Sequence, residues 1–445
     1  MNIVLISTYE LGHQPFGLAS PQAWLKREGH NVTAVDLAVA PLPEPALREA
    51  DRIAFYLPMH TATRLALPVI ERAKRLNPQA RLACYGLYAP INADLLRGLG
   101  VEAIAGGEFE SALVKWIAGE TIPEISLDRQ TFPVPSRADL PQLNLYAKLR
   151  HGADSKLVAY TEASRGCKHL CRHCPVVPVY QGKFRVIGHD TVLADIRQQI
   201  AAGAQHVTFG DPDFFNGPKH ALDIVEALHA EFPKVTYDAT IKIEHLLKHR
   251  DLLKPLRDTG CLFLVSAVES VDDCVLAKLE KNHTRQDFIG AAAATREAGI
   301  SLQPTFIAFT PWTTIDSYRE MLRVLRDLDL VDNVAPVQLA LRLLITANSR
   351  LLELDDIKSV IGPFDSQALV YPWQHPDSEM ETLAARTFQL VADLQKQKRT
   401  RAEIFAALWN LVGNESLPAN FAQLPRTAVP FTDEPWYCCA EPIPV

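Results

Sequence analysis

No stretch of this sequence approaches the ~18 consecutive apolar residues that a membrane span requires, so no membrane partner is expected. A basic excess is also missing. Lys and Arg number 45 against 52 Asp and Glu, a net charge of −7, which argues against the electrostatic footprint of a nucleic-acid binder. The opening MNIVLISTYELGH lacks a basic leader and reads as a first β-strand, not as a signal peptide. Cysteine is sparse, and eight in 445 residues make no disulfide framework. With no export signal the expected compartment is the reducing cytoplasm, where clustered thiols bind metal or do chemistry. Internal repeats and low-complexity segments are absent as well.

What is present is an alternation of short apolar runs and helical patterns. A chain of 445 residues is too long for one core, so two or three domains are expected. Ile3–Ile6, Val32–Val35, Ile53–Tyr56, Leu82–Tyr85 and Ala103–Ala105 read as strands, with helices near 62–76, 91–98 and 109–118. Strands alternating with helices imply a parallel sheet covered on both faces. Prolines 123, 133, 135 and 141 then mark a linker or strap. The alternation resumes with Leu157–Thr161, His206–Phe209, Val235–Ala239, Leu262–Val268, Leu302–Ala308 and Val337–Leu344, too few strands for a closed eight-fold barrel. His189-Asp190 is expected to cap a helix stopped by Gly203, and Ser378-x-x-Glu381 and Thr400-x-x-Glu403 read as capping boxes. The expected fold class is therefore α/β. Residues 1–120 form a doubly wound parallel sheet, 121–155 a linker, 156–350 a partial (β/α)6 barrel, and 351–445 a helical region with an extended tail.

Directly after the first barrel strand stand Cys167, Cys171 and Cys174, spaced C-x3-C-x2-C, with no fourth cysteine nearby. Thiolates bind zinc, copper(I) or iron–sulfur clusters. Structural zinc takes four protein ligands, and His169 or His173 could complete a Cys3His set. Three cysteines could equally hold three irons of a [4Fe–4S] cluster and leave the fourth open to a substrate. A second thiol pair, Cys438-Cys439, lies in the tail sequence WYCCAEP. Adjacent Cα atoms, about 3.8 Å apart, disfavour a bridge within the pair. The two thiols suit chelation of a thiophilic atom or a redox step, unless they are incidental to the tail.

The triplet at the mouth of a partial barrel resembles the radical S-adenosylmethionine (SAM) enzymes. That resemblance implies a [4Fe–4S] cluster on Cys167, Cys171 and Cys174, SAM on the open iron, and a reductant protein such as flavodoxin or ferredoxin. The motif departs at His173, where an aromatic is usual. With its first α/β domain and Gly106-Gly-Glu108, the chain is similar to the cobalamin-binding subgroup, which makes cobalamin a possible cofactor. In the barrel, Gly210, Asp211 and Asp213 fall where the family contacts the SAM amino group, and Glu269-Ser270 where it approaches the ribose. Lys242 replaces a common arginine, and Phe309 stands where a glycine is usual. Asp213 and Glu269 could also be a helix cap or a surface charge. His13 stands in the loop that often supplies a cobalt ligand, but the spacing is wrong, and it reads as an exposed loop residue. The ending resembles radical SAM proteins with CCAEP tails, and a related group serves arsinothricin biosynthesis. This implies transfer of the 3-amino-3-carboxypropyl group of SAM to a small-molecule or metalloid substrate such as arsenite, held by Cys438 and Cys439. The alternatives are a cobalamin-dependent methyltransferase and a non-catalytic zinc or iron–sulfur protein.

Overall fold

The computed structural model describes residues 1–413, 415–424 and 428–434. Strands β1 (Asn2–Ser7), β2 (Asn31–Asp36), β3 (Arg52–Tyr56), β4 (Arg81–Tyr85), β5 (Ala103–Gly107) and β6 (Ile125–Ser126) form a parallel sheet in the order β2-β1-β3-β4-β5-β6. Successive side chains leave opposite faces of a strand, and both faces are buried here. Val4 and Ile6 join one core with Ile53, Phe55, Leu82 and Cys84, while Ile3 and Leu5 join another with Ala54, Tyr56, Ala83 and Tyr85. Helix His60–Leu76 covers the first face through Ala66, Ile70 and Ala73. Helices Phe16–Arg27 and Phe109–Ile117 cover the second through Leu18, Leu25, Leu113 and Trp116. The strand order reverses between β1 and β3, and doubly wound sheets bind ligands beyond the strand ends at such a switch point.

Strands β7 (Lys148–His151) and β8 (Asp154–Thr161) open the second sheet, and β9 (Ser164–Gly166) and β10 (Phe184–Val186) make a short antiparallel ribbon. The sheet continues through β11 (His206–Phe209), β12 (Thr236–Thr240), β13 (Cys261–Glu269) and β14 (Ser301–Phe306). Neighbouring strands from β8 through β14 are parallel, and β15 (Phe431–Thr432) closes the other edge antiparallel to β7. The result is the curled half-barrel of an α/β fold.

Three local expectations change. The stretch Val337–Leu344 begins with a 3-10 turn at Pro336–Leu339, and only a single parallel bridge joins Phe309 to Arg342. Pro336 has no N–H to offer a ladder, and the Gln338 side chain accepts the Phe306 N–H of β14 at 3.1 Å. Asp377, not Ser378, caps helix Ser378–Lys396, because Glu381 turns to Arg342 and the His375 N–H instead. The helix expected to be capped by His189-Asp190 begins at His189 with Gly188 as its uncapped flank. The Thr400–Glu403 capping box forms as expected.

Candidate active site

The cysteine loop is built from its entry. Gly166 takes φ +76°, and a Cβ there would collide with the Tyr180 ring and the Lys183 carbonyl, so only glycine lets β9 turn into the loop. Cys167 and Cys171 are buried and Cys174 is partly exposed. Helix Val176–Tyr180 follows the loop and packs Val176, Val179 and Tyr180 into the core of the first sheet. The loop is thus gripped by both sheets.

The donor chemistry fits a cluster. Burial pushes the Cys167 thiol up to about 12, with Asp213 adding to the effect, so the thiolate needs a bound cation to persist at neutral pH. Among the described residues the set of three donors near enough for a single ion is His169, Asp213 and His245, not the three cysteines. That separation argues against one zinc ion on the triplet, whose sulfurs would have to lie at one tetrahedral centre. Lys242, buried, sets its Nζ 3.8 Å from the Cys171 Sγ.

Residues on either side of the loop, Arg165 and Gly166 before it and Pro175 and Val176 after it, line a cavity with about 1950 Å³ of empty space, open mouth included. Its first wall lies at the carboxyl ends of β1, β3, β4 and β5, with Glu10, His13, Tyr56, Tyr88 and Phe109. Its second wall comes from the half-barrel, with Tyr160, Gly210, Asp211 and Thr240, and Phe431, Thr432 and Glu434 complete it. Tyr9 donates a hydrogen bond to Glu434, and Arg150 meets Asp433 at 2.8 Å, so the last described residues are tied across this opening.

His13 is not the exposed residue expected from its spacing. It is 8% exposed, stacks on Tyr160 at 4.7 Å, and burial lowers its imidazole to about 4. The loop after β1 is folded into the cavity wall, which a local motif does not reveal.

The expected site residues separate into groups. Gly210 lines the cavity, and a Cβ there would strike the Tyr160 hydroxyl. Asp211 also lines the cavity, and its carboxylate accepts from the Ala163 N–H at 2.9 Å and the Ser164 hydroxyl at 2.5 Å. Burial raises its carboxyl to about 7 against those hydrogen bonds. Asp213 sits behind the cysteine loop, its Oδ1 accepting the Phe215 N–H. Glu269, at φ +69°, is buried beside His173 at 3.1 Å and Lys281 at 3.4 Å. Burial would raise its carboxyl, but Lys281 and His173 outweigh it and hold the group at about 2. His173, the departure from an aromatic in the motif, therefore faces Glu269. Ser270 accepts the Asp272 N–H. Cys438 and Cys439 lie outside the described residues.

Sequence reasoning passed over the charged seam between the sheets. Arg165, one residue before Gly166, pairs with Glu162 at 2.5 Å and with both oxygens of Glu110 at 2.7 and 2.9 Å. Glu108 lies 4.0 Å away and accepts from the Tyr180 hydroxyl, and burial lifts its carboxyl to about 7 despite Arg165. Arg137, from the proline-marked strap, pairs with Asp195 at 2.9 Å and donates to the Tyr160 carbonyl. The signal available was an arginine against the first cysteine of the triplet, with three glutamates just after strand ends.

Residues 161–329 match the family model of the radical SAM superfamily. The chain is 25% identical over 335 residues to a hopanoid C-3 methylase of Methylococcus capsulatus, covering 70% of this chain and 63% of that protein. It is 22% identical to the threonylcarbamoyladenosine tRNA methylthiotransferase MtaB of Rickettsia prowazekii, covering 61% of this chain and 64% of that one. These matches span a little under two thirds of either relative. Among solved structures, the cobalamin-dependent SAM radical enzyme OxsB, with aqua-cobalamin and SAM bound, superposes with TM-score 0.67 at 14% identity over 88% of this chain and 67% of its own. The radical SAM methyltransferase TsrM of Kitasatospora setae, with tryptophan and a SAM analogue bound, gives 0.65 at 15% identity over 90% of both chains. At such identities the likeness establishes the fold. The match over residues 161–329 identifies a radical SAM domain in the half-barrel that carries the three-cysteine loop, and the two-sheet fold around it is like that of OxsB and TsrM.

Proposed function

We propose that the chain reductively cleaves SAM and transfers its 3-amino-3-carboxypropyl group to a soft acceptor such as arsenite, presented by Cys438 and Cys439. The observation that supports this reading is the position of Glu434 in the wall of the cavity that the residues flanking the cysteine loop also line. Cys438 and Cys439 follow four and five residues later in the sequence. Two vicinal thiolates are soft ligands that suit a thiophilic acceptor.

In this reading Cys167, Cys171 and Cys174 hold the cluster, which supplies the electron that breaks a C–S bond of SAM. Lys242 sets positive charge beside Cys171. Gly210 keeps a smooth wall for the SAM amino acid, Glu269 and Ser270 shape the end of β13 near the ribose, and Asp211 and Asp213 fix the loops around it. A reductant such as flavodoxin or ferredoxin delivers the electron, and the reducing cytoplasm keeps the thiol pair reduced.

A second reading, cobalamin-dependent methyl transfer, is favoured by one specific observation. The cavity reaches the β1–β3 switch point of the first sheet and is lined there by Tyr56, Tyr88 and Phe109. The residues present therefore fit a flat, largely apolar macrocycle. His13, neutral and stacked on Tyr160, would stand at its edge.

Product analysis separates the two. Reconstituted protein is reduced with SAM, with and without arsenite. Arsenite-dependent 5′-methylthioadenosine, lost when Cys438→Ser and Cys439→Ser are combined, is the expected result. S-adenosylhomocysteine formed only with cobalamin bound selects the second reading. An arsenite response that survives the double substitution removes the role of the thiol pair.

A further inference from the structure

Three side chains that do not line the cavity converge from three different elements. His169 comes from within the loop, between Cys167 and Cys171. Asp213 follows β11, and His245 lies on helix Ile243–Lys248 after β12. Their donor atoms all lie within 4.8 Å of one another. The His245 Nδ1 is 2.7 Å from the Asp213 Oδ2, and the His169 Nε2 is 3.8 Å from that same oxygen. Ligand atoms about 2.0–2.1 Å from one ion stand roughly 3 Å apart, the range these separations bracket.

The second observation is independent of the spacing. The His169 Nε2, the Asp213 Oδ2 and the His245 Nδ1 are all buried and none has a hydrogen-bond partner of adequate geometry, although Asp213 is 0% exposed. Unsatisfied buried polar atoms are rare and call for a specific cause. Three at one point, with complementary softness, call for a cation. The Asp213 Oδ1 accepts the Phe215 N–H at 3.2 Å, which fixes the carboxylate and leaves Oδ2 facing the imidazoles. The Glu244 Oε2 stands 3.6 Å from the His169 Nδ1, the carboxylate-behind-imidazole arrangement that orients a metal-bound histidine.

We infer that His169, Asp213 and His245 bind one divalent transition-metal ion, zinc by the chemistry of the set, separate from the cluster held by the three cysteines. Two imidazoles and one carboxylate carry one negative charge and offer nitrogen and oxygen donors, which suit Zn²⁺ or Co²⁺. The ion would pin the middle of the cysteine loop to the ends of β11 and β12. Its role is to hold the loop, since none of the three side chains lines the cavity.

The test uses the full-length protein in two forms. Cluster-reconstituted wild type is desalted and analysed for iron, sulfide and zinc, with about one zinc per chain expected beside the cluster iron. His169→Gln and His245→Gln should each lower zinc to a small fraction while Asp213→Asn weakens it ~10–100-fold. Independently, a chain with Cys167→Ala, Cys171→Ala and Cys174→Ala is titrated with Co²⁺ alone. Saturation of the visible d–d bands at about one equivalent, abolished by adding His169→Gln and His245→Gln, supports the site. Should the cysteine-free chain fail to fold, the zinc content of the two histidine variants decides. Zinc far below stoichiometry in the wild type, or zinc and Co²⁺ binding unchanged by the histidine substitutions, overturns it.

Discussion

Asp211 and Glu269 are both buried carboxyls at the carboxyl ends of half-barrel strands, and they carry opposite charge tendencies. Asp211, toward the seam with the first sheet, is lifted to about 7. Glu269, behind the cysteine loop, is held at about 2. Burial acts the same way on both. The difference lies in cations. The seam crowds Glu108, Glu110 and Glu162 around Arg165, with Glu10 pushed well up by burial and by Glu162. Glu269 is paired with Lys281 and His173. Glu269 is therefore held as a carboxylate by its cations, while burial lifts the carboxyls of Asp211, Glu108 and Glu10.

The largest effect breaks the loop itself. Cys167→Ala removes a ligand that no neighbouring thiol replaces, and SAM cleavage should fall by ~10³-fold or more, with cluster iron and sulfide lost in parallel. Retained iron with unchanged cleavage would move the cluster elsewhere. Next is the seam. Arg165→Met strands three carboxylates in a buried site and should cost about 3–5 kcal/mol of stability in urea unfolding. The loss should shrink at acid pH, where protonated carboxyls no longer need the guanidinium. A cost that is flat with pH would mean that Arg165 matters for its packing on Phe109, over which it lies at 4.6 Å.

The third prediction sets the two carboxyls against each other. A raised group stabilises the fold fully below its unfolded value and loses that contribution as pH climbs to its folded one. For Asp211 that window runs from 3.8 to about 7. Wild type should therefore lose up to ~1.4 kcal/mol per pH unit more than Asp211→Asn within it. A depressed group contributes above its unfolded value and loses the contribution on acidification. For Glu269 the window runs from 4.5 down to about 2. Glu269→Gln should cost most above pH 5 and progressively less below it. Parallel pH profiles for the two variants would erase the contrast between the regions.

How much of this was readable in advance follows from how local each feature is. The cysteine triplet is local, so its spacing exposed it. The first-sheet strands were readable because Val4 and Ile6, or Ile53 and Phe55, alternate with residues that fill a second core. The sixth barrel strand was misread because Val337–Leu344 has a strand's composition, while Pro336 and the Gln338 side chain decide its backbone. Ser378 was misread as a cap because Glu381 had a better partner in Arg342, 39 residues away. Arg165 with its glutamates, and His169 with Asp213 and His245, are assembled by topology from separate segments. No window of sequence contains either set.

The smallest change restores the expected motif. His173→Phe supplies the aromatic that usually precedes the third cysteine and removes the 3.1 Å contact to Glu269. Phe fits a side chain that is 2% exposed, so packing is largely kept and the loss isolates one hydrogen bond. Lys281 remains at 3.4 Å, so Glu269 should stay ionised at neutral pH, with its carboxyl moved upward from about 2. The expected cost is about 1–2 kcal/mol at pH 7, read by urea unfolding of the cluster-loaded protein, and it should fade as pH approaches the carboxyl's own titration. A variant as stable as wild type at pH 7 would leave Lys281 as the whole reason that this region is ionised and the seam is not. A larger loss would instead mean that His173 and Lys281 act as a unit, each holding the carboxylate in place for the other.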